Sequence, residues 1–227
     1  MHQASIARRA IQGFVQLQVT MAALLFLAAW SLRYWQAWLF LLVFSASTAW
    51  ITLYFLKNDP ALIERRLKAG AAAEKEKVQK IIQAFASLFF VAVILFPGFD
   101  HRFGWSHLSP PVVLVGDAVV ALGLFQVFRV FRENSFTSAT IEVSQAQKVV
   151  STGPYRLVRH PMYAGALLMI FGVPVALGSL WGLLICLPIV AAIVWRLREE
   201  EKFLSANLPG YNEYRSVTRY RLIPWIF

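Results

Sequence analysis

Charge is scarce in this chain. Asp, Glu, Lys and Arg make up 15% of its 227 residues, against about 25% in a soluble domain. Acidic residues are the scarcer sign, 12 against 22 Lys and Arg, which leaves a formal net charge of +10. Apolar residues reach 58% and the mean hydropathy is +0.57. This composition argues against a soluble globule and against disorder. The single cysteine, Cys186, lies in an apolar run. That excludes an intramolecular disulfide, a cysteine-based zinc site and an iron–sulfur cluster, and no metal is expected. Internal repeats and low-complexity tracts are also missing.

What is present is a set of long stretches without charge. Residues 10–32, 34–56 and 81–99 contain no Asp, Glu, Lys or Arg, and a membrane-spanning helix needs roughly 20 apolar residues. A fourth stretch, 111–131, carries Asp117 and Arg129 near its two ends. Asp117 reads there as a helix-end residue without a role. Residues 160–195 hold none of the four charged types and are too long for one crossing. Gly172, Pro174, Gly178 and Ser179 break them into a helical hairpin. The expectation is an all-α membrane protein with about six transmembrane helices, at 12–32, 34–56, 80–99, 111–131, 162–177 and 180–197. The first is expected to stay in the chain, because it lacks a small-residue cleavage site and is followed at once by the second.

Twenty of the 22 Lys and Arg fall at the N-terminus, in 57–80, in 129–159 or in 196–227; the opposite loops hold Arg33 and Arg102. Basic residues favour the cytoplasmic side, so both termini are expected there, in a multi-pass protein of a prokaryotic plasma membrane. Topology accounts for the basic surplus, and no nucleic-acid partner is expected; the lipid bilayer is. The chain divides into a four-span region, 1–131, and a catalytic region, 132–227.

Between the spans, Asp59 suits an N-cap and Pro60 the first helical position, so 57–80 is expected to open on a short interfacial helix and to act as a basic connector that fixes topology. Thr140, Ile141, Val143, Val149 and Val150 look extended around a polar SQAQ, as in a small hairpin or lid.

Three clusters carry possible chemistry: GPYRLVRHPMYAG at 153–165, RLREEEKFL at 196–204, and LPGYNEYRSVTRYRLIPWIF at 208–227. Singly they have plain readings. Pro161 could start a helix with Arg159 and His160 at the interface, Arg196–Glu200 and Arg198–Glu201 could be surface helix pairs, and the aromatics could form a belt. A short hairpin makes the ends at His160 and Arg196 neighbours, however. One pocket at the cytoplasmic face, closed by the C-terminal segment, would then combine a helix N-terminus for a carboxylate, glutamates for an ammonium or hydroxyls and tyrosine faces for a sulfonium.

In this order and spacing the three motifs resemble the isoprenylcysteine carboxyl methyltransferase family of integral membrane enzymes, over about residues 130–227. The resemblance implies S-adenosylmethionine as cofactor. Tyr155, His160, Pro161, Met162 and Tyr163 would line its pocket, with Gln147, Val149 and Val150 alongside. Glu200 would bind it and Arg196 would face the acceptor, the two being the expected catalytic residues. Glu201, Tyr211 and Tyr214 carry over more weakly. The expected activity is methyl transfer to a lipophilic or small acceptor, most readily a carboxylate or thiol. Three other readings stand, one of them a non-catalytic six-span transporter or scaffold, against which no ionisable residue sits in mid-membrane to mark an ion path, apart from Asp117 near an outer end. Membrane sterol and steroid reductases use NADPH on a similar scaffold, but their H-x-N-Y-x-G-D motif here reads His160-Pro-Met-Tyr-Ala-Gly-Ala166, without the Asn and Asp. Phospholipid N-methyltransferases share the cofactor.

Overall fold

The computed structural model describes residues 2–67, 69–74, 76–140 and 147–227. Each charge-free stretch forms helix. α1 (His2–Ala29), α2 (Trp35–Asn58), α4 (Lys77–Phe103) and α5 (Pro110–Glu133) are the four helices long and apolar enough to cross a membrane. The 36-residue stretch divides into α6 (Pro161–Ala176) and the start of α7 (Gly182–Asn207). The break falls at Leu177–Trp181, where Gly178 takes a φ of +73°. No strand occurs among the described residues. Of the expected extended segment, Ile141 and Val143 lie outside them, and 147–150 is irregular.

α3 (Pro60–Leu67) is the short helix expected after the second span. The Leu62 N–H donates to Asp59 Oδ1 at 3.0 Å, so Asp59 caps it, satisfying one of the donors that the first turn leaves open. Leu62 is fully buried. α3 reaches the polar end of the bundle: Arg65 donates to the Ser135 carbonyl, and Arg66 to that of Ser138 at 2.8 Å.

The most extensive helix contact is between α5 and α6, and glycine makes it possible. Gly116 and Gly123 on α5 meet Gly165 and Gly172 on α6. A Cβ at Gly116 would stand 2.2 Å from the Ala176 nitrogen, one at Gly123 2.6 Å from the Gly165 carbonyl oxygen, and one at Gly172 2.9 Å from Val120. Small residues let helices approach in lipid, where attraction comes from packing rather than from expelling water. This contact sets α6 against the end of α5 from which the site is built.

The opposite end of the hairpin is tied by polar groups. The Tyr34 hydroxyl donates to the Leu177 carbonyl at 2.5 Å. Ser106 donates to Asp100 Oδ2 at 2.7 Å, and Ser179 donates to the same oxygen while accepting from the Gly182 N–H at 3.0 Å. Asp117 departs from the expectation of a helix-end residue. α5 starts at Pro110, one residue before the expected start, so Asp117 lies two turns in; it is 4% exposed, and among the described residues neither carboxylate oxygen has a hydrogen-bond partner.

Gly123→Val should destabilise the fold by about 1–3 kcal/mol, as overpacking against main chain does. Gly13→Val is the control, since a Cβ at Gly13 meets nothing within 4 Å. Thermal unfolding in detergent should separate the two, with Gly13→Val close to wild type.

Candidate functional site

The cavity lies where α5 ends, α6 begins and α7 leaves the apolar part of the bundle. Its empty space, open mouth included, is about 840 Å³. Asn134, Thr137, Ser138 and Thr140 form one wall after α5, and Gln147, Val149 and Val150 a second. The floor is Tyr155 with His160, Pro161, Met162 and Tyr163 at the start of α6. Glu200 and Leu204 of α7, Leu208, and Tyr211 and Tyr214 of α8 (Tyr211–Val217) close it. Thus Gln147, Val149, Val150, Tyr155, His160, Pro161, Met162, Tyr163 and Glu200 line one cavity. Arg196 and Glu201 do not line it.

Local sequence explains the floor. Gly153, with φ +56°, and Pro154 start a 3-10 turn, Gly153–Arg156. A Cβ on Gly153 would fall 2.6 Å from Glu133 Oε2, and the Thr152 hydroxyl donates to Oε1 of the same carboxylate. The turn presents Tyr155, whose hydroxyl accepts from Asn134 at 3.1 Å and whose carbonyl accepts from the Tyr214 hydroxyl at 2.8 Å. Burial is the main cause that raises the pKa of the Tyr155 phenol, the Asn134 hydrogen bond opposing it. Its proton stays on at neutral pH. Pro161 takes the first position of α6, as its fixed φ favours. The N–H groups that follow it have no carbonyl of their own helix to bond and so form an anion-binding end.

Glu200 reaches the cavity through Tyr163, whose hydroxyl donates to Glu200 Oε2 at 2.7 Å. The same hydroxyl accepts from Arg196 Nε at 3.0 Å. Arg196 therefore stands one hydrogen bond behind the wall. Its ion pair is with Glu74, at 2.7 Å, rather than with Glu200 one turn along α7. Gln79 and Gln83 accept from Nη1 at 3.2 Å each, and the Ala139 carbonyl from Nη2 at 3.0 Å. Sequence reading missed Glu74, Gln79 and Gln83. The one signal available was two glutamines at i and i+4 at the polar end of an otherwise apolar span.

Glu201 is a structural hub behind the cavity. Arg159 Nε lies 2.8 Å from Oε1, His160 Nε2 3.2 Å from the same oxygen, and Arg221 Nε 3.0 Å from Oε2. The pair with Arg198 considered from spacing is replaced by these partners. The tail is held here through main chain as well, the N–H groups of Arg159 and His160 donating to the carbonyls of Tyr220 and Arg221 at 2.9 Å each. Burial pushes the Glu201 pKa up. The hydrogen bonds from His160 and Arg221 and the charges of His160 and Arg159 outweigh it and bring the value down to about 2.

Two comparisons with known proteins bear on this site. Residues 112–209 match a family model described as phospholipid methyltransferase. The chain is also 29% identical, over 131 residues, to protein-S-isoprenylcysteine O-methyltransferase A of Arabidopsis thaliana. That match covers 56% of this chain and 56% of the relative, so the chain spans little more than half the length of the curated relative it matches. Both agree with the resemblance read from the three motifs.

Glu201→Gln should lower stability at pH 7 by about 3–5 kcal/mol, the usual result of removing one partner from a buried charge cluster. The folded pKa of about 2 lies below the ordinary 4.5, so the carboxylate's contribution is whole above about pH 4.5 and is lost as the pH falls toward 2. Melting curves against pH should show a gap between wild type and variant that is constant down to about pH 4.5 and narrows below it.

Proposed function

We propose that this chain, similar to the isoprenylcysteine and phospholipid methyltransferases, is an integral membrane methyltransferase that uses S-adenosylmethionine. The observation that carries the proposal is the cavity itself: a helix N-terminus, a carboxylate and a ring of tyrosines meet where an apolar bundle ends. These residues fit the cofactor's chemistry. The first N–H groups of α6 suit a carboxylate, Glu200 suits an ammonium or ribose hydroxyls, and Tyr155, Tyr211 and Tyr214 offer faces to a flat ring or to a sulfonium. When bound, the cofactor supplies an electrophilic methyl group on its sulfonium sulfur.

Residues 132–227 supply the cavity, while Glu74, Gln79 and Gln83 come from the preceding region. Arg196, held by them, faces the acceptor and orients its anionic group. Tyr163 hydrogen-bonds both Arg196 and Glu200 and so fixes the two half-sites relative to each other. A carboxylate or thiolate needs no general base, and positioning together with exclusion of water provides the acceleration. A neutral amine, as on a phospholipid, needs one. His160 Nε2 is already engaged by Glu201 at 3.2 Å, which favours an acceptor that arrives ionised. In the membrane we read six spans, α6 and the start of α7 adding to α1, α2, α4 and α5, with the cavity and both termini on the cytoplasmic side where the basic residues gather. A lipophilic acceptor then enters from the bilayer and the cofactor from the water.

Calorimetric titration of detergent-purified protein with S-adenosylhomocysteine tests the cofactor. Saturable binding is expected, weakened about 10- to 100-fold in Glu200→Ala, the range for losing a hydrogen bond to a charged group. Binding of NADPH in its place would move the protein to the reductases. With the cofactor established, N-acetyl-S-farnesylcysteine is expected to be methylated, and phosphatidylethanolamine vesicles are not.

A further inference from the structure

A guanidinium carries five N–H donors, and every one on Arg196 has a partner. Nε donates to Tyr163, Nη1 to Gln79 and Gln83, and Nη2 to Glu74 and the Ala139 carbonyl. An acceptor anion that reaches Arg196 must therefore displace one of them. Four are neutral; Glu74 alone is anionic.

Glu74 differs in its support as well. Gln79 and Gln83 sit on α4 and Tyr163 on α6, both long helices. Glu74 follows a single 3-10 turn, Ala71–Ala73, between α3 and α4. Gly70 opens that turn with φ +92° and nothing within 4 Å of where its Cβ would be, and Ala72 and Ala73 are exposed. The carboxylate is 4% exposed on a loosely packed support.

We infer that Glu74 holds the place of the acceptor's own carboxylate, which exchanges for it at Arg196 Nη2 during binding. The inference rests on the reading of Arg196 as the acceptor-facing residue. An arginine buried at the edge of an apolar bundle without an anion is costly, and Glu74 keeps it compensated while no acceptor is bound. One carboxylate replacing another leaves the charge balance unchanged. Methyl transfer then changes it. The acceptor oxygen takes the methyl group, the bonding pair stays on the departing sulfur, and no proton moves. The product is a neutral ester, which cannot hold Arg196 against Glu74, so return of the connector ejects it. The device favours entry of an acid and exit of its ester.

Hydrogen–deuterium exchange on the full chain, with S-adenosylhomocysteine bound, tests this. The probes are N-acetyl-S-farnesylcysteine and its methyl ester. The acid is expected to speed exchange in the peptide covering 69–76, and the ester to leave it unchanged. Unchanged exchange at saturating acid, or failure of the acid to bind, overturns the inference. Binding of S-adenosylhomocysteine, measured apart, shows whether the methyltransferase reading survives. Glu74→Gln supplies a second readout, with the KM for the acid expected to fall about tenfold. A purely structural ion pair would instead leave KM unchanged or raise it, and the inference would fail. Should the variant not fold, exchange in the wild-type chain still decides.

Discussion

The close approach of α5 and α6 is the constraint on which the rest depends. Nothing expels these helices from lipid onto each other as water would, so their contact has to come from shape. Glycines on both faces remove the side chains that would hold the backbones apart. With α6 fixed against the end of α5, the irregular walls of the cavity have a floor, and the N-terminus of α6 points into it. A fold of this kind builds a polar pocket at the end of an apolar bundle.

A second layer of order comes from two carboxylates that never reach the cavity. Glu201 binds the tail and the approach to α6 to the exit of α7. Glu74 binds the connector before α4 to the same helix one turn earlier. Adjacent residues of one helix, Glu200 and Glu201, thus serve opposite purposes, one facing the cavity and the other holding its frame. The i,i+3 and i,i+4 spacings along RLREEE invite pairing within the helix, yet the arginine and the glutamate both choose partners from distant segments. Burial decides this: an exposed pair gains little, whereas a buried charge must be compensated wherever a partner can be brought.

The helices were legible because charge is so costly in hydrocarbon that its absence marks them. Helix ends were legible where a residue has one strong use, as Asp59 and Pro60 do at α3. The cavity wall from Gln147 to Tyr163 and Glu200 was legible through a family likeness carried by compact motifs. Glu74, Gln79 and Gln83 were not, because nothing local records a partner more than a hundred residues away. Asp117 misled for a related reason. The start of the span was read to within one residue, but nothing in the sequence showed that Asp117 would be turned inward and buried rather than left at the helix end.

The Tyr163 hydroxyl has a single proton, given to Glu200, and takes one from Arg196 in return. A polarised chain of this sort does not divide cleanly into two sites. Whatever draws electron density from Glu200 loosens its hold on the phenol proton and makes the phenol oxygen a poorer acceptor for Arg196, and whatever neutralises Arg196 alters the phenol's acidity toward Glu200. By thermodynamic reciprocity, each ligand must then change the other's affinity by the same factor. With Glu200 assigned to the cofactor and Arg196 to the acceptor as proposed, the two ligands would report on one another through one oxygen atom, without any helix having to move.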